Sequence, residues 1–178
     1  MATSTQRAIS KLNNVIKAIK DEVPKKTEEI ANLGLQTAQT TLGLATLDKN
    51  MFTQKHRAQL VSQITMNNGE KENSYVISAG ANATPEIKYE LYYAEYGAGL
   101  GALPDAPPSP YIPKGKVIKS GEFQGYWFYK KLYPDEKGFT NTSMAVEYMR
   151  GSKLLAREEL KKANIELSKK IKKLHKGK

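Results

Sequence analysis

The chain of 178 residues contains no cysteine and only two histidines, His56 and His175, which lie far apart in the sequence. Without cysteine, disulfide bonds, thiol catalysis and zinc sites built on sulfur are excluded. Two isolated histidines do not form a recognisable metal-ligand set, and no Ser/His/Asp combination suggests a nucleophilic catalyst. The sequence therefore predicts a protein with no catalytic residues, no metal site and no cofactor.

Long apolar runs are also missing. No segment approaches the roughly 20 consecutive apolar residues of a transmembrane helix, and residues 1–6 lack the apolar core of a signal peptide. With 39% hydrophobic and 26% charged residues, the chain has enough apolar material for one modest core. We therefore expect a single domain over 1–178 that stays where it is made and has no membrane partner.

Positive charge, in contrast, is abundant and uneven. The formal net charge is +10, and the 26 residues from Lys153 onward hold ten lysines and arginines against three glutamates, a net +7. Such a segment can contact nucleic acid or an acidic protein, but it is also compatible with a solvated helix face. The candidate polyanion contacts are Lys169, Lys170, Lys172 and Lys173.

Apolar periodicity predicts helices at both ends of the chain. A stripe at spacings of three and four is formed by Ile9, Leu12, Ile16, Ile19 and Val23. It predicts a helix over 3–23, which Pro24 should break or kink because proline lacks an N–H. A weaker stripe predicts a second helix over 25–45. The last helix is expected to start near Thr142 and to continue through the basic segment.

In the middle of the chain the period changes to two. Alternation predicts a strand over 57–66, and the turn signal Asn67-Asn68-Gly69 predicts a hairpin whose second strand covers 73–80. A short aromatic helix over 86–96, ending at Gly97, and a strand over 126–131 complete the elements.

These elements together predict an α+β fold with N-terminal helices, a small, mostly antiparallel sheet and a long C-terminal helix. Between the aromatic helix and the last strand, residues 97–115 are rich in proline and glycine and predict a long loop. The chain divides into an N-terminal helical arm (1–47), a part with the sheet, aromatic segment and loop (48–141), and a basic C-terminal helix (142–178).

Two motifs in this central part bear on function. The run from Gly97 to Ala102 formally matches G-x-G-x-x-G/A, but Pro104 follows where a dinucleotide site needs a helix, so the run indicates a flexible hinge instead. The second motif is a cluster of four tyrosines before this run, spaced so that they share one face of the predicted helix: Tyr89, Tyr92, Tyr93 and Tyr96. Such a cluster is able to stack on nucleic-acid bases, but it more often belongs to a core or a subunit interface.

The residues from Tyr92 to Gly99 also carry a resemblance. The motif Glu95-Tyr96-Gly97-Ala98-Gly99, the later Trp127-Phe128-Tyr129 strand and the helix start from Met144 to Arg150 resemble the neck and tail-completion family of long-tailed bacteriophages. This family is related to the minor tail protein at the lambda head–tail junction. The resemblance covers roughly residues 55–165, with Ala98 in place of the threonine that is usual between the two glycines.

What the resemblance implies is a structural, non-enzymatic virion protein without a cofactor, assembled in the host cytoplasm. It would form a ring of identical copies that joins head and tail around the DNA channel and contacts other neck or tail proteins. The expected interface residues are Tyr89, Tyr92, Tyr93, Tyr96, Gly97, Gly99, Pro107, Pro108, Trp127, Phe128 and Tyr129. A basic nucleic-acid-binding module remains the alternative, and the ring would also let DNA pass through it.

Overall fold

The structure, a computed structural model, describes residues 4–45, 54–97, 103 and 145–176. Within these residues four helices and a two-stranded antiparallel sheet follow one another along the chain. The elements are helix α1 (Ser4–Leu44), helix α2 (Gln54–Ser62), strand β1 (Ile64–Asn68), strand β2 (Tyr75–Ala79), helix α3 (Pro85–Tyr96) and helix α4 (Tyr148–Lys176). The predicted α+β class is confirmed, as are the second hairpin strand, the aromatic helix and the long C-terminal helix.

The first helix continues through Pro24 as one element of 41 residues, so the predicted break there is wrong. Proline removes one backbone N–H from the helix. The hydroxyl of Thr27, however, donates to the carbonyl of Val23 at 2.8 Å, and Ile30 is buried further along the same helix. The Thr27 hydrogen bond and the burial of Ile30 on the C-terminal side of the proline therefore help to offset the local cost of the missing hydrogen bond.

The strand predicted over 57–66 is mostly wrong, because α2 occupies Gln54–Ser62 and β1 begins only at Ile64. The alternation depended on Ala58 and Ser62, which are both exposed. The buried residues in this stretch are Leu60 and Ile64, and their spacing of four does not distinguish a helix from a strand.

The hairpin is closed at both ends by backbone hydrogen bonds. The amide of Gly69 donates to the carbonyl of Ser74 at 2.8 Å, and the amide of Gly80 donates to the carbonyl of Gln63 at 2.9 Å. Gly80 has a φ of +73°, and a Cβ there would lie 3.0 Å from the Leu91 side chain. Glycine is therefore required where the hairpin meets α3.

Local signals set the ends of α3 and α4. Extended Thr84 precedes α3, Pro85 occupies its first turn, and Gly97 ends it with a φ of 74°. Helix α4 begins at Tyr148, and residues 145–147 before it are not helical. The predicted start near Thr142 falls outside the described residues, and the helix itself begins six positions later.

The chain groups into two compact units of discontinuous segments. Unit 1 combines Met1–Gly34, Met66–Val76 and Lys153–Lys178, and unit 2 combines Leu35–Thr65 and Ile77–Ser152. The hydrophobic core of unit 2 consists of Ala38, Leu42, Leu60, Ile64, Ile87, Leu91, Tyr93, Ala94 and Tyr148. This composition differs from the three consecutive parts expected from sequence, since α1 and α4 each contribute to both units.

Candidate functional site

Within unit 2, the C-terminal end of α3 meets the start of α4, a site we call the α3–α4 junction. A helix normally leaves its last four carbonyls without intrahelical partners. Here the carbonyls of Tyr93, Ala94, Glu95 and Tyr96 accept from the amides of Gly97, Val146, Glu147 and Leu103, respectively, at 2.8–3.1 Å. The residues just before α4 therefore cap α3, although they lie about 50 positions away in sequence.

The Glu95 side chain provides the reciprocal cap. This carboxylate is 4% exposed, and it accepts from the amide of Met149 at 2.8 Å and from that of Arg150 at 2.9 Å. Both amides belong to the first turn of α4, where unpaired N–H groups and the helix dipole favour a negative charge. Each helix thus satisfies the open end of the other.

The pKa of Glu95 reflects this mixed environment. Burial raises the pKa of the carboxyl above its ordinary value, and the two backbone hydrogen bonds together with the nearby Arg150 guanidinium partly offset the rise. Glu147, beside it, adds a further small rise and has a φ of 53°, in the left-handed region. The carboxylate is thus held at the helix terminus against a desolvation cost.

Two buried tyrosines anchor the junction to the core. Tyr93 is 2% exposed and Tyr148 is 1% exposed. The Tyr148 hydroxyl donates to the carbonyl of Leu91 at 3.1 Å, and burial raises the pKa of this phenol. Tyr93 was expected at an interface, but its side chain is enclosed by its own chain and belongs to the core of unit 2.

The accessible part of the junction is an aromatic patch formed by Tyr92, Tyr96 and Arg150. The rings of Tyr92 and Tyr96 have centroids 4.6 Å apart and are tilted by 43°, and the Arg150 guanidinium carbon lies 5.7 Å from the Tyr96 centroid. All three residues are half-buried, and burial raises the pKa of Tyr92 to about 12. Stacked tyrosines beside an arginine are the residue types that dominate binding energy at protein interfaces.

His56 directly precedes the stretch that was predicted as a strand over 57–66. It lies in α2 instead and is half-buried. Its Nε2 lies 2.6 Å from the Glu90 carboxylate of α3. This contact ties α2 to α3 within unit 2. Within the described residues no group of three or more His, Cys, Asp or Glu side chains is placed to bind a metal ion.

The basic residues predicted to contact a polyanion all lie in unit 1. All four lysines are exposed on α4, and Lys170 also forms an ion pair with Glu22 of α1. A second contact joins the same helices, because the Lys11 ammonium donates to the carbonyl of His175. Within the described residues, Lys169, Lys172 and Lys173 form no such ion pair, and we call these three the open lysines.

Several predicted interface residues cannot be placed. The backbone of Tyr89 lies in α3, but its side chain falls outside the described residues. Gly99, Pro107, Pro108, Trp127, Phe128 and Tyr129 lie outside them as well, as do most of the predicted loop and the strand over 126–131. Gly97 is placed and terminates α3.

Sequence reasoning missed the roles of Glu95 and Arg150. Glu95 follows Tyr92, Tyr93 and Ala94, and a carboxylate that is buried beside such residues needs a partner. That signal is present in the sequence, but the partner amides lie 54 and 55 residues further on. No local spacing connects them.

Comparisons with known proteins give no relatives: no protein-family profile, curated protein or solved structure matches the chain at a significant level. Within the described residues, none of the helices combines the length and apolar character needed to cross a membrane.

Proposed function

We propose that this protein is a structural subunit of the neck or tail-completion complex of a long-tailed bacteriophage. Copies of it form a ring that joins head and tail around the DNA channel. The subunit acts by packing against its neighbours and against other neck or tail proteins, and its interface includes the aromatic patch at the α3–α4 junction.

The observation that carries this proposal is the coincidence of the resemblance motif with the junction. Glu95 caps α4, Gly97 ends α3, and Tyr96 lies in the aromatic patch with Arg150. The described part of the motif, Glu95-Tyr96-Gly97, therefore belongs to a structural unit that fixes two helices and presents aromatic side chains next to them. Such a unit suits a subunit whose neighbours must meet it in one orientation.

The proposal is tested by counting copies and by removing the patch. Native mass spectrometry of the protein and mass measurement of intact particles should give one closed oligomer of more than two copies. Tyr96→Ala should weaken that oligomer about tenfold or more, as expected for a tyrosine near the centre of an interface. Tyr75→Ala, which changes a half-buried tyrosine on β2, is the matched control and should leave assembly unchanged.

A stoichiometry of one or two copies per particle would reject the ring. Normal assembly of the Tyr96→Ala variant would reject the aromatic patch as part of the interface. Circular dichroism of each variant shows whether its helices are intact, so a folding defect is not mistaken for an interface effect.

The second candidate function is a nucleic-acid-binding module, and the open lysines of α4 favour it. Contacts to phosphate make the affinity fall steeply as salt rises. Tight binding of a duplex DNA at about 0.15 M salt, with a strong salt slope that is lost when Lys169, Lys172 and Lys173 are changed to Gln, would support this function instead. Weak binding that is insensitive to these changes favours the structural role.

A further inference from the structure

Unit 1 exposes a continuous apolar stripe along α1. The side chains are Ile9 (54% exposed), Leu12 (60%), Ile16 (42%) and Ile19 (37%). Their alternating spacings of three and four match the a and d positions of a heptad, the pattern by which one helix packs along another. Helix α4 lies beside α1 at Lys11 and Glu22 through its own His175 and Lys170, yet it leaves the stripe open.

The stripe leads into a groove between α1 and α4. If the heptad spacing of the stripe is continued, Lys26 stands at the next position after Val23 where an apolar residue is expected. Lys26 lines the groove from α1, and Asn164 lines it from α4. The groove has a volume of about 430 Å³, and its apolar lining includes Val23, Ile30 and Leu167. The side chains at one end of a helix bound along the stripe would fit into this groove.

The charges around this surface are strongly one-sided. Unit 1 holds 17 lysine and arginine residues against nine acidic ones, a net +8 of the chain's +10. Lys17 and Lys20 of α1 are exposed next to the stripe, and Lys172 and Lys173 of α4 are exposed near the contact between Lys11 and His175. A second copy of this chain would bring an equal positive charge to the same place, so self-association there is opposed by repulsion.

We propose that the stripe and groove of unit 1 bind an amphipathic helix of another protein, with apolar residues in heptad spacing and acidic residues beside them. The apolar side chains cover Leu12 and Ile16, and the carboxylates pair with the lysines of α1 and α4. Nucleic acid would use the lysines but would leave the aliphatic stripe uncovered. An anionic membrane fits less well, because residues 4–34 and 153–176 contain no tryptophan, tyrosine or phenylalanine to sit at the interface. This inference goes beyond the ring, because it concerns a surface distinct from the aromatic patch.

The experiment measures binding of a synthetic helix of about four heptads with Leu and Ile at the seam positions and Glu beside them. A scrambled peptide of the same composition separates helical packing from charge alone. The designed peptide should bind at least about tenfold more tightly than the scramble. Changing Leu12→Gln and Ile16→Gln together should raise the Kd about tenfold, since two aliphatic contacts are lost.

The matched control is Leu44→Gln, which changes the same residue type on the same helix. Leu44 is 80% exposed and lies in unit 2. This variant should bind as the unchanged protein does, and all variants should keep the same helical content because the changed side chains are exposed.

Four outcomes would overturn the proposal. The first is that the designed peptide does not bind, and the second is that the scrambled peptide binds equally well. The third is binding to phosphatidylserine–phosphatidylcholine vesicles that the Leu12/Ile16 variant loses while its peptide binding is unaffected, and the fourth is a dimer in sedimentation that the same variant dissociates. None of these outcomes affects the copy-number test of the ring, so failure of one proposal does not decide the other.

Discussion

The two units of the molecule use their apolar residues in opposite ways. Among the described residues, nine of the ten buried hydrophobic side chains lie in unit 2, whereas nine of the ten large exposed ones lie in unit 1. Charge follows the same division, with +8 in unit 1 and +2 in unit 2. Unit 2 is therefore organised around its own core, and unit 1 is organised to present a surface.

The sharpest test of this comparison is a pair of leucines on α1. Leu42 is fully buried in unit 2, and Leu12 is 60% exposed in unit 1. Leu42→Ala should lower the free energy of unfolding by about 2–5 kcal/mol through lost burial and a residual cavity. Leu12→Ala should cost less than about 1 kcal/mol, since both residues are good helix formers. Urea unfolding of the two variants measures the difference, and equal losses would remove the distinction between the units.

Removing the Glu95 carboxylate should have the next largest effect. Glu95→Ala leaves two amides at the start of α4 without their acceptor in a buried place, which costs about 1–3 kcal/mol. The control is Glu147→Ala, which removes a more exposed carboxylate of the same segment and should cost clearly less. Chemical denaturation provides both values. A smaller loss for Glu95→Ala than for its control would contradict the capping role.

The pH dependence of stability should report on the same carboxylate. The folded-state pKa of Glu95 lies above its unfolded value, so the folded state binds more protons in the window just above pH 4.5. The part of the stability that depends on protonation of Glu95 is therefore fully present below the unfolded pKa and is lost as pH rises through the folded pKa, while the hydrogen bonds to the α4 amides remain. Glu95→Gln should flatten this part of the stability curve. An unchanged curve for Glu95→Gln would show that other groups control the window.

A stabilising change is expected at Gly151, close to where α4 passes from unit 2 to unit 1. This glycine is exposed, it lies inside the helix, and an added Cβ would meet no atom within 4 Å. Gly151→Ala should therefore raise stability by about 0.5–1 kcal/mol. Thermal unfolding provides the measurement. A loss of stability would mean that the helix needs the conformational freedom of glycine at this point.

The smallest effect on stability is expected from the open lysines. Changing Lys169, Lys172 and Lys173 to Gln should alter the unfolding free energy by less than about 1 kcal/mol, because exposed charges are well screened. Leu167→Ala, on the same helix, should cost more, because Leu167 is half-buried and lines the groove. Measuring the unfolding free energy of the two variants at low and at high salt tests whether Leu167→Ala costs more than the lysine changes. A larger loss for the lysine variant would make α4 an electrostatic element in unit 1.

The strongly periodic elements were predictable from sequence, and the errors have local physical causes. The stripe from Ile9 to Val23 predicted the first part of α1. Whether Pro24 ends that helix depended on the burial of Ile30, which the neighbouring sequence does not show. The alternation over 57–66 wrongly predicted a strand there because it relied on Ala58 and Ser62, which are small and exposed and do not mark a buried face. For β2 and α3, turn residues and glycine gave the ends to within two residues.

Only part of the candidate site could be predicted from the sequence. The tyrosines of α3 marked the region, and their spacing correctly placed them on a helix. Which of them are enclosed and which are open follows from the approach of α4: Tyr93 lies against the core with Tyr148, whereas Tyr92 and Tyr96 remain partly open. Contacts between residues more than 50 positions apart leave no local pattern.

The reciprocal capping of α3 and α4 also has a consequence for the order of events during synthesis. Helix α3 is complete when the ribosome has added Tyr96, but the carbonyls of Ala94 and Glu95 and the Glu95 carboxylate find their partners only after residues 146–150 have been made. Joining segments about 50 residues apart costs roughly 3–4 kcal/mol of chain entropy, and such non-local contacts form slowly. The nascent chain should therefore hold α3 with a frayed end until residues 146–150 have been translated. Unit 2 would then close late, in the same step that commits α4 to its position.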